Sequence, residues 1–110
     1  MTDPGRGTPG SEGQSIRWTR SAVRDLTNAR EYLHLREPRA ARAFARSIRT
    51  AVDRIGRHPE SGPVATDLEP AGDYRHVVVA PYRVIYMLDG DLVVILRVWD
   101  NRRDPSDLYL

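Results

Sequence analysis

The sequence predicts an α+β fold in which a short N-terminal strand and a two-helix hairpin pack on an antiparallel β-meander. Three observations carry this. Residues 74–103 hold three apolar runs separated by two turn signals, Ala80-Pro81 and Asp89-Gly90-Asp91. Proline there removes a ladder donor, and glycine supplies a positive φ at little cost. Residues 20–57 carry apolar positions at spacings of three and four, interrupted by Pro38, as expected of two amphipathic helices. Ile16 and Trp18 are too widely spaced for one helix face but share one face of a strand.

Residues 1–14 are rich in Gly, Pro, Ser and Thr and contain no large apolar residue after Met1, so they are expected to form a disordered tail. Residues 15–110 are expected to form one domain, because 40% hydrophobic content in 110 residues suffices for one modest core. Ser15–Trp18 reads as an edge strand. Thr19 is placed to cap a helix from about Arg20 to Arg36, with Ala22, Leu26, Ala29 and Leu33 as its buried stripe and Val23 and Tyr32 on the flanks. Glu37-Pro38 breaks it, since proline pushes its predecessor out of the α region and suits the first position of a new helix. The second helix runs to about Arg57 with Ala41, Phe44, Ile48, Ala51, Val52 and Ile55 inward and Arg39, Arg42, Arg46 and Arg49 opposite; Gly56 and His58-Pro59 supply the stop. Residues 60–72 read as a loop with solvated acidic side chains.

Composition narrows the chemistry. All 17 basic residues are arginine, which excludes a lysine Schiff base or lysine general base and leaves planar guanidinium groups for anion recognition. Ten of them fall in residues 20–57 against four acids, so the hairpin carries about +6. There is no cysteine, and three scattered histidines do not suggest a metal site. No cofactor is expected. No apolar run reaches the roughly 18 residues of a membrane span, and a cytoplasmic location is expected.

In the meander, a three-residue loop at Asp89-Gly90-Asp91 would place Tyr82, Val84, Tyr86 and Leu88 on one face with Leu92, Val94, Leu96 and Val98. The other face would then hold Arg83, Ile85 and Met87 with Val93, Ile95, Arg97 and Trp99. A two-residue Asp89-Gly90 turn would instead pair Tyr82 with Arg97. In the favoured register Arg83 and Arg97 lie nearly opposite each other, a like-charge pair that calls for an anion or a carboxylate. Two readings stay open: an anion-contact site on an exposed sheet face, joined by Arg75, or pairing with acids such as Asp73 or Asp100.

The co-linear set Trp18, Ala22, Asp25-Leu26, Tyr32-Leu33, Pro38, Ala40-Ala41, Ile48 to Ile55, His58-Pro59, Gly62, Tyr74-Arg75, Pro81 to Tyr86 and Val94 to Val98 resembles the RelE/ParE superfamily of bacterial toxins. The Pro81-Tyr82-Arg83 and Ile95-Leu96-Arg97-Val98 pieces resemble its ParE branch. The resemblance implies a toxin neutralised by a cognate antitoxin whose flexible acidic C-terminal segment wraps it, with Arg39, Arg42, Arg46 and Arg49 as candidate antitoxin contacts. Operator DNA would be bound only through the antitoxin. ParE-like toxins poison DNA gyrase; RelE-like toxins cut messenger RNA on the ribosome.

The leading expectation is therefore a gyrase-binding toxin that is not an enzyme, with Arg75, Tyr82, Arg83, Arg97, Trp99, Asp100, Arg102 and Arg103 as its target-binding residues. The alternative is a ribosome-dependent endoribonuclease using Arg75, His76, Arg83, Arg97 and Tyr109. A third reading is a degenerate, non-toxic antitoxin-binding protein. Two departures from the family weigh on the choice: no lysine is available for an acid-base cluster, and Asp100 stands where the family often has histidine.

Overall fold

The computed structural model describes residues 14–68 and 72–110. Its elements are β1 (Ser15–Trp18), α1 (Arg20–Arg36), α2 (Pro38–Arg57), β2 (Arg75–Val79), β3 (Tyr82–Asp89), β4 (Leu92–Asp100) and a 3-10 turn at Pro105–Asp107. One four-stranded sheet has the order β1-β4-β3-β2; β1 runs parallel to β4, and the other neighbours are antiparallel. The predicted meander and edge strand are both present. Most of the expected tail lies outside the described residues, but its last member, Gln14, donates its amide to Gly56 O at 2.7 Å.

The helices begin and end where the sequence signals place them. The Thr19 side chain accepts from Ala22 N–H, and its hydroxyl donates to Leu96 O at 2.8 Å, which fastens the start of α1 to β4. Glu37 closes α1 and caps α2 through Arg39 N–H, with Pro38 in the first turn. Ala22 and Ala29 of α1 are buried, as is the predicted α2 stripe. Val23 and Tyr32 are about half exposed. Against the helices the sheet presents Tyr82, Val84, Tyr86, Val93, Ile95 and Val98, and the Phe44 and Tyr82 rings meet at 5.0 Å between centroids.

The predicted meander register is corrected. Asp89 pairs with Leu92 across a two-residue Gly90-Asp91 turn, with Gly90 at φ 59°. Tyr86 then faces Ile95, whereas Ile85 faces Arg97, so Leu96 is an extra residue on β4. This bulge reverses the parity of the strand. Val93 and Ile95 face the helices before it and Val98 after it, while Leu96 joins the opposite face. Leu92 and Val94, placed inward by the sequence reading, pair with outward Asp89 and Met87.

The second sheet face is also covered, contrary to the expected exposed surface. Ala65 and Leu68 from the segment after α2 pack on Ile85 and Trp99, and Tyr74, Leu96 and Leu108 complete the cluster. The segment is seated by backbone bonds from Ala65 N to Tyr74 O and from His76 N to Pro63 O. A buried phenol tightens it further: Tyr86 donates its hydroxyl to Pro59 O at 2.6 Å and accepts Gly62 N–H at 3.2 Å. A Cβ on Gly62 would stand 2.7 Å from both His76 O and the Tyr86 hydroxyl oxygen. Gly62→Ala is therefore expected to lower stability by about 1–3 kcal/mol, measured by urea unfolding; an unchanged midpoint would mean that this segment is not seated as described.

Candidate functional site

The residues singled out on the sheet divide into buried arginines paired with carboxylates and an outward-facing corner. Arg83 and Arg97 are only 7% and 8% exposed, so each must be neutralised to be tolerated. They are not opposite each other, because the bulge sets Arg83 against Trp99 and Arg97 against Ile85. Nor are their partners Asp73 or Asp100. Arg83 Nη1 and Nη2 donate to the two carboxylate oxygens of Asp67 at 3.1 and 2.9 Å, so this loop acid is not merely solvated. Arg97 Nε and Nη2 donate to Asp25 at 2.7 and 3.0 Å, while its Nη1 donates to Tyr109 O at 2.8 Å.

Asp25 has a second task. β1 ends at Trp18, so β4 is left without a neighbour beyond Ile95 on that side. Asp25 takes the place of the missing strand by accepting Val98 N–H at 3.0 Å. Its hydrogen bonds raise the pKa of Arg97 further, although burial opposes the shift. Neither Asp25 nor Asp67 was foreseen as a partner. The available signals were the position of Asp25 beside the Ala22–Ala29 stripe and that of Asp67 beside apolar Leu68.

Arg75 and His76 serve the same covering segment. Arg75 Nη1 donates to Glu60 O and Gly62 O. His76 Nδ1 lies 3.2 Å from Arg83 Nη1, and since a guanidinium only donates, Nδ1 accepts and the ring is neutral there. Burial first, and then the Arg83 charge, lower the His76 pKa from 6.5. The unfolded chain consequently binds a proton that the folded chain resists. Stability is expected to hold above pH 6.5 and to decline as pH falls below it, towards the lowered pKa. His76→Gln should flatten that decline in urea melts; an equally steep decline in the variant would place its origin elsewhere.

The outward-facing corner follows β4. Asp100 Oδ1 accepts both the backbone N–H and Nε of Arg102, and Oδ2 accepts Nη2, all at 2.9 Å. These bonds hold the Asp100 carboxyl below the usual carboxylate range and raise the Arg102 pKa. Arg103 lies over the Trp99 ring at 4.5 Å. Tyr82 is 7% exposed, with its ring in the helix-facing core. Trp99 is 2% exposed and belongs to the other core. Tyr109 is 73% exposed, and its carbonyl, not its phenol, anchors Arg97.

The four α2 arginines are all exposed, but they do not serve one groove. Arg42 lines a hollow of about 560 Å³ between α1 and α2, together with Leu35, Pro38 and Ala41. Arg46 lines another of about 640 Å³ between α2 and Val77–Val79 of edge strand β2. Among the described residues, no group of three or more His, Asp or Glu side chains stands close enough to hold a metal ion, and no helix is long and apolar enough to cross a membrane.

Comparison with known proteins agrees with this architecture. Residues 16–105 match the family described as the ParE toxin of the type II toxin–antitoxin system parDE. Toxin RelE2 of Caulobacter vibrioides is 38% identical over 81 residues, which cover 74% of this chain and 88% of that protein. Among solved structures, the toxin–antitoxin complex RelBE2 from Mycobacterium tuberculosis superposes with a TM-score of 0.55 at 30% identity, covering 80% of this chain and 98% of that one. The chromosomal ParDE system from P. aeruginosa shares the fold, with a TM-score of 0.67 at 22% identity over 82% of this chain and 98% of that one. The chain belongs to the ParE family of the RelE/ParE superfamily and is a toxin of the type II toxin–antitoxin class.

Proposed function

We propose that this toxin acts by stoichiometric binding to DNA gyrase and is neutralised by its cognate antitoxin. The observation that carries the reading is the state of the arginines: the buried Arg83 and Arg97 guanidinium groups are each held at two points by a carboxylate, and Arg75 Nη1 donates to two loop carbonyls. A nuclease of this design would need those guanidinium groups open to a phosphate and a base poised beside them. Here His76 lies against Arg83, and the Tyr109 phenol is on the surface. The corner at Asp100, Arg102 and Arg103 remains available to a protein partner.

Antitoxin binding fits the two grooves beside α2. The α1–α2 hollow offers Leu35, which is 83% exposed, between Arg30 and Arg42, a surface matched by an amphipathic acidic helix. The edge of β2 at Val77–Val79, flanked by Arg46 and Arg54, suits an extended acidic segment added as a strand. The gyrase reading is tested by supercoiling assays with purified gyrase. Loss of supercoiling that the antitoxin reverses is the expected result; unaffected supercoiling at excess toxin contradicts it.

A further inference from the structure

Between α1 and the ends of β3 and β4 lies a hollow of about 370 Å³, walled by Asn28 and Tyr32, floored by Tyr82 and Val98, and rimmed by Arg102 and Arg103. One exposed cation on its rim is constrained. The Arg102 side chain is 59% exposed, yet Nε, Nη2 and the backbone N–H all turn onto Asp100, whose side chain is 20% exposed. The turn that carries them is itself fixed, since Asn101 N–H donates to Pro81 O and Arg103 N–H to Asp100 O. With Nε and Nη2 on Asp100, the guanidinium is left close to the Tyr82 phenol, whose burial-raised pKa a hydrogen bond from Arg102 lowers in part, and Nη1 is the nitrogen without a carboxylate partner. Surface arginines ordinarily lose rotamer entropy when they bind. This one is already ordered.

We propose that this hollow is the toxin's contact site for its protein target, that it seats an acidic side chain of the target on the exposed guanidinium of Arg102, and that Asp100 is the residue positioning that guanidinium. The proposal deepens the gyrase reading and rests on it. A carboxylate fits better than a nucleic-acid backbone, because Asp25 and Asp100 both line the hollow. Each is already engaged, by Arg97 and Arg102, which brings the lining close to charge balance; a row of phosphates calls for a run of unpaired cations, whereas one carboxylate needs only one guanidinium. The other lining groups suit a polypeptide. The Tyr82 phenol is neutral, its pKa raised by burial against an opposing hydrogen bond from Arg102, while Asn28 supplies an amide. Arg36, stacked at 3.9 Å on the Tyr32 ring, adds positive charge behind the wall.

The role given to Asp100 has a sign that simple charge attraction does not share. Asp100→Asn makes the chain more positive, so a field effect alone would strengthen binding to an acidic target. Loss of positioning weakens it. The experiment is equilibrium binding of the full-length toxin to purified gyrase holoenzyme, without and with DNA, using wild type, Arg102→Ala and Asp100→Asn, with thermal unfolding of each. Both variants are expected to bind about tenfold more weakly or worse, the loss typical of a truncated charge-assisted contact. Arg102 is exposed, so its variant is expected to melt like the wild type and keeps the test decisive if Asp100→Asn is unstable. Wild-type affinity in Arg102→Ala overturns the site. Unchanged or tighter binding by Asp100→Asn overturns the positioning role. Binding that appears only when DNA is present overturns the carboxylate as ligand. A wild-type toxin that fails to bind gyrase at all overturns the gyrase reading itself, a result distinct from the other three.

Discussion

Asp25→Ala is expected to cost about 3–5 kcal/mol of folding stability, the range for removing one partner of a buried ion pair. The loss has two sources. Arg97 keeps a buried charge whose nearest remaining oxygen is the Tyr109 carbonyl, and Val98 N–H loses the acceptor that stands in for a neighbouring strand. Replacing both partners, as Asp25→Leu with Arg97→Met, is expected to lose less than the single change, because no unpaired charge is left behind. Chemical unfolding of the three proteins checks this. A loss below about 1 kcal/mol for Asp25→Ala, the value of a surface pair, would contradict the burial described here.

Trp99→Ala is expected to cost a similar amount, about 3–5 kcal/mol, as a large ring removed from a filled core. The indole is 2% exposed between Ala65, Leu68 and Ile85, and Arg97 and Arg103 lie over it. The sequence reading made Trp99 a target contact; its burial makes it a support for the Arg103 end of the corner. Trp99→Phe should recover most of the stability and bind the target nearly as the wild type does. A Phe variant that melts normally but no longer binds would return Trp99 to the contact surface.

What could be read from the chain depended on the range of the interactions involved. The helices were legible because their signals are local: a hydroxyl at Thr19, the Glu37-Pro38 break, and apolar residues at helical spacing through Ile55. The sheet's strand count was legible from turn chemistry at Ala80-Pro81 and Gly90. Its register was not. Both parities of β3 and β4 are apolar, since both faces are covered, so a one-residue bulge at Leu96 leaves no mark in the pattern. The arginines were recognised as residues needing an anion, but Arg97 meets Asp25 across 72 positions and Arg83 meets Asp67 from an irregular segment. No periodicity connects such pairs. Asp100 is the converse case, because its partner is two residues away. Standing where the family often has histidine, it is the group that orders Arg102.

A toxin consumed in a binding equilibrium differs measurably from one that turns over as a catalyst. The most direct measurement is a titration of purified gyrase with purified toxin, following supercoiling, alongside translated message exposed to the same preparation. The prediction is inhibition that saturates at a fixed toxin-to-gyrase ratio while the message stays intact. Gyrase that keeps full activity at excess toxin, with many messages cut per toxin molecule, would contradict it.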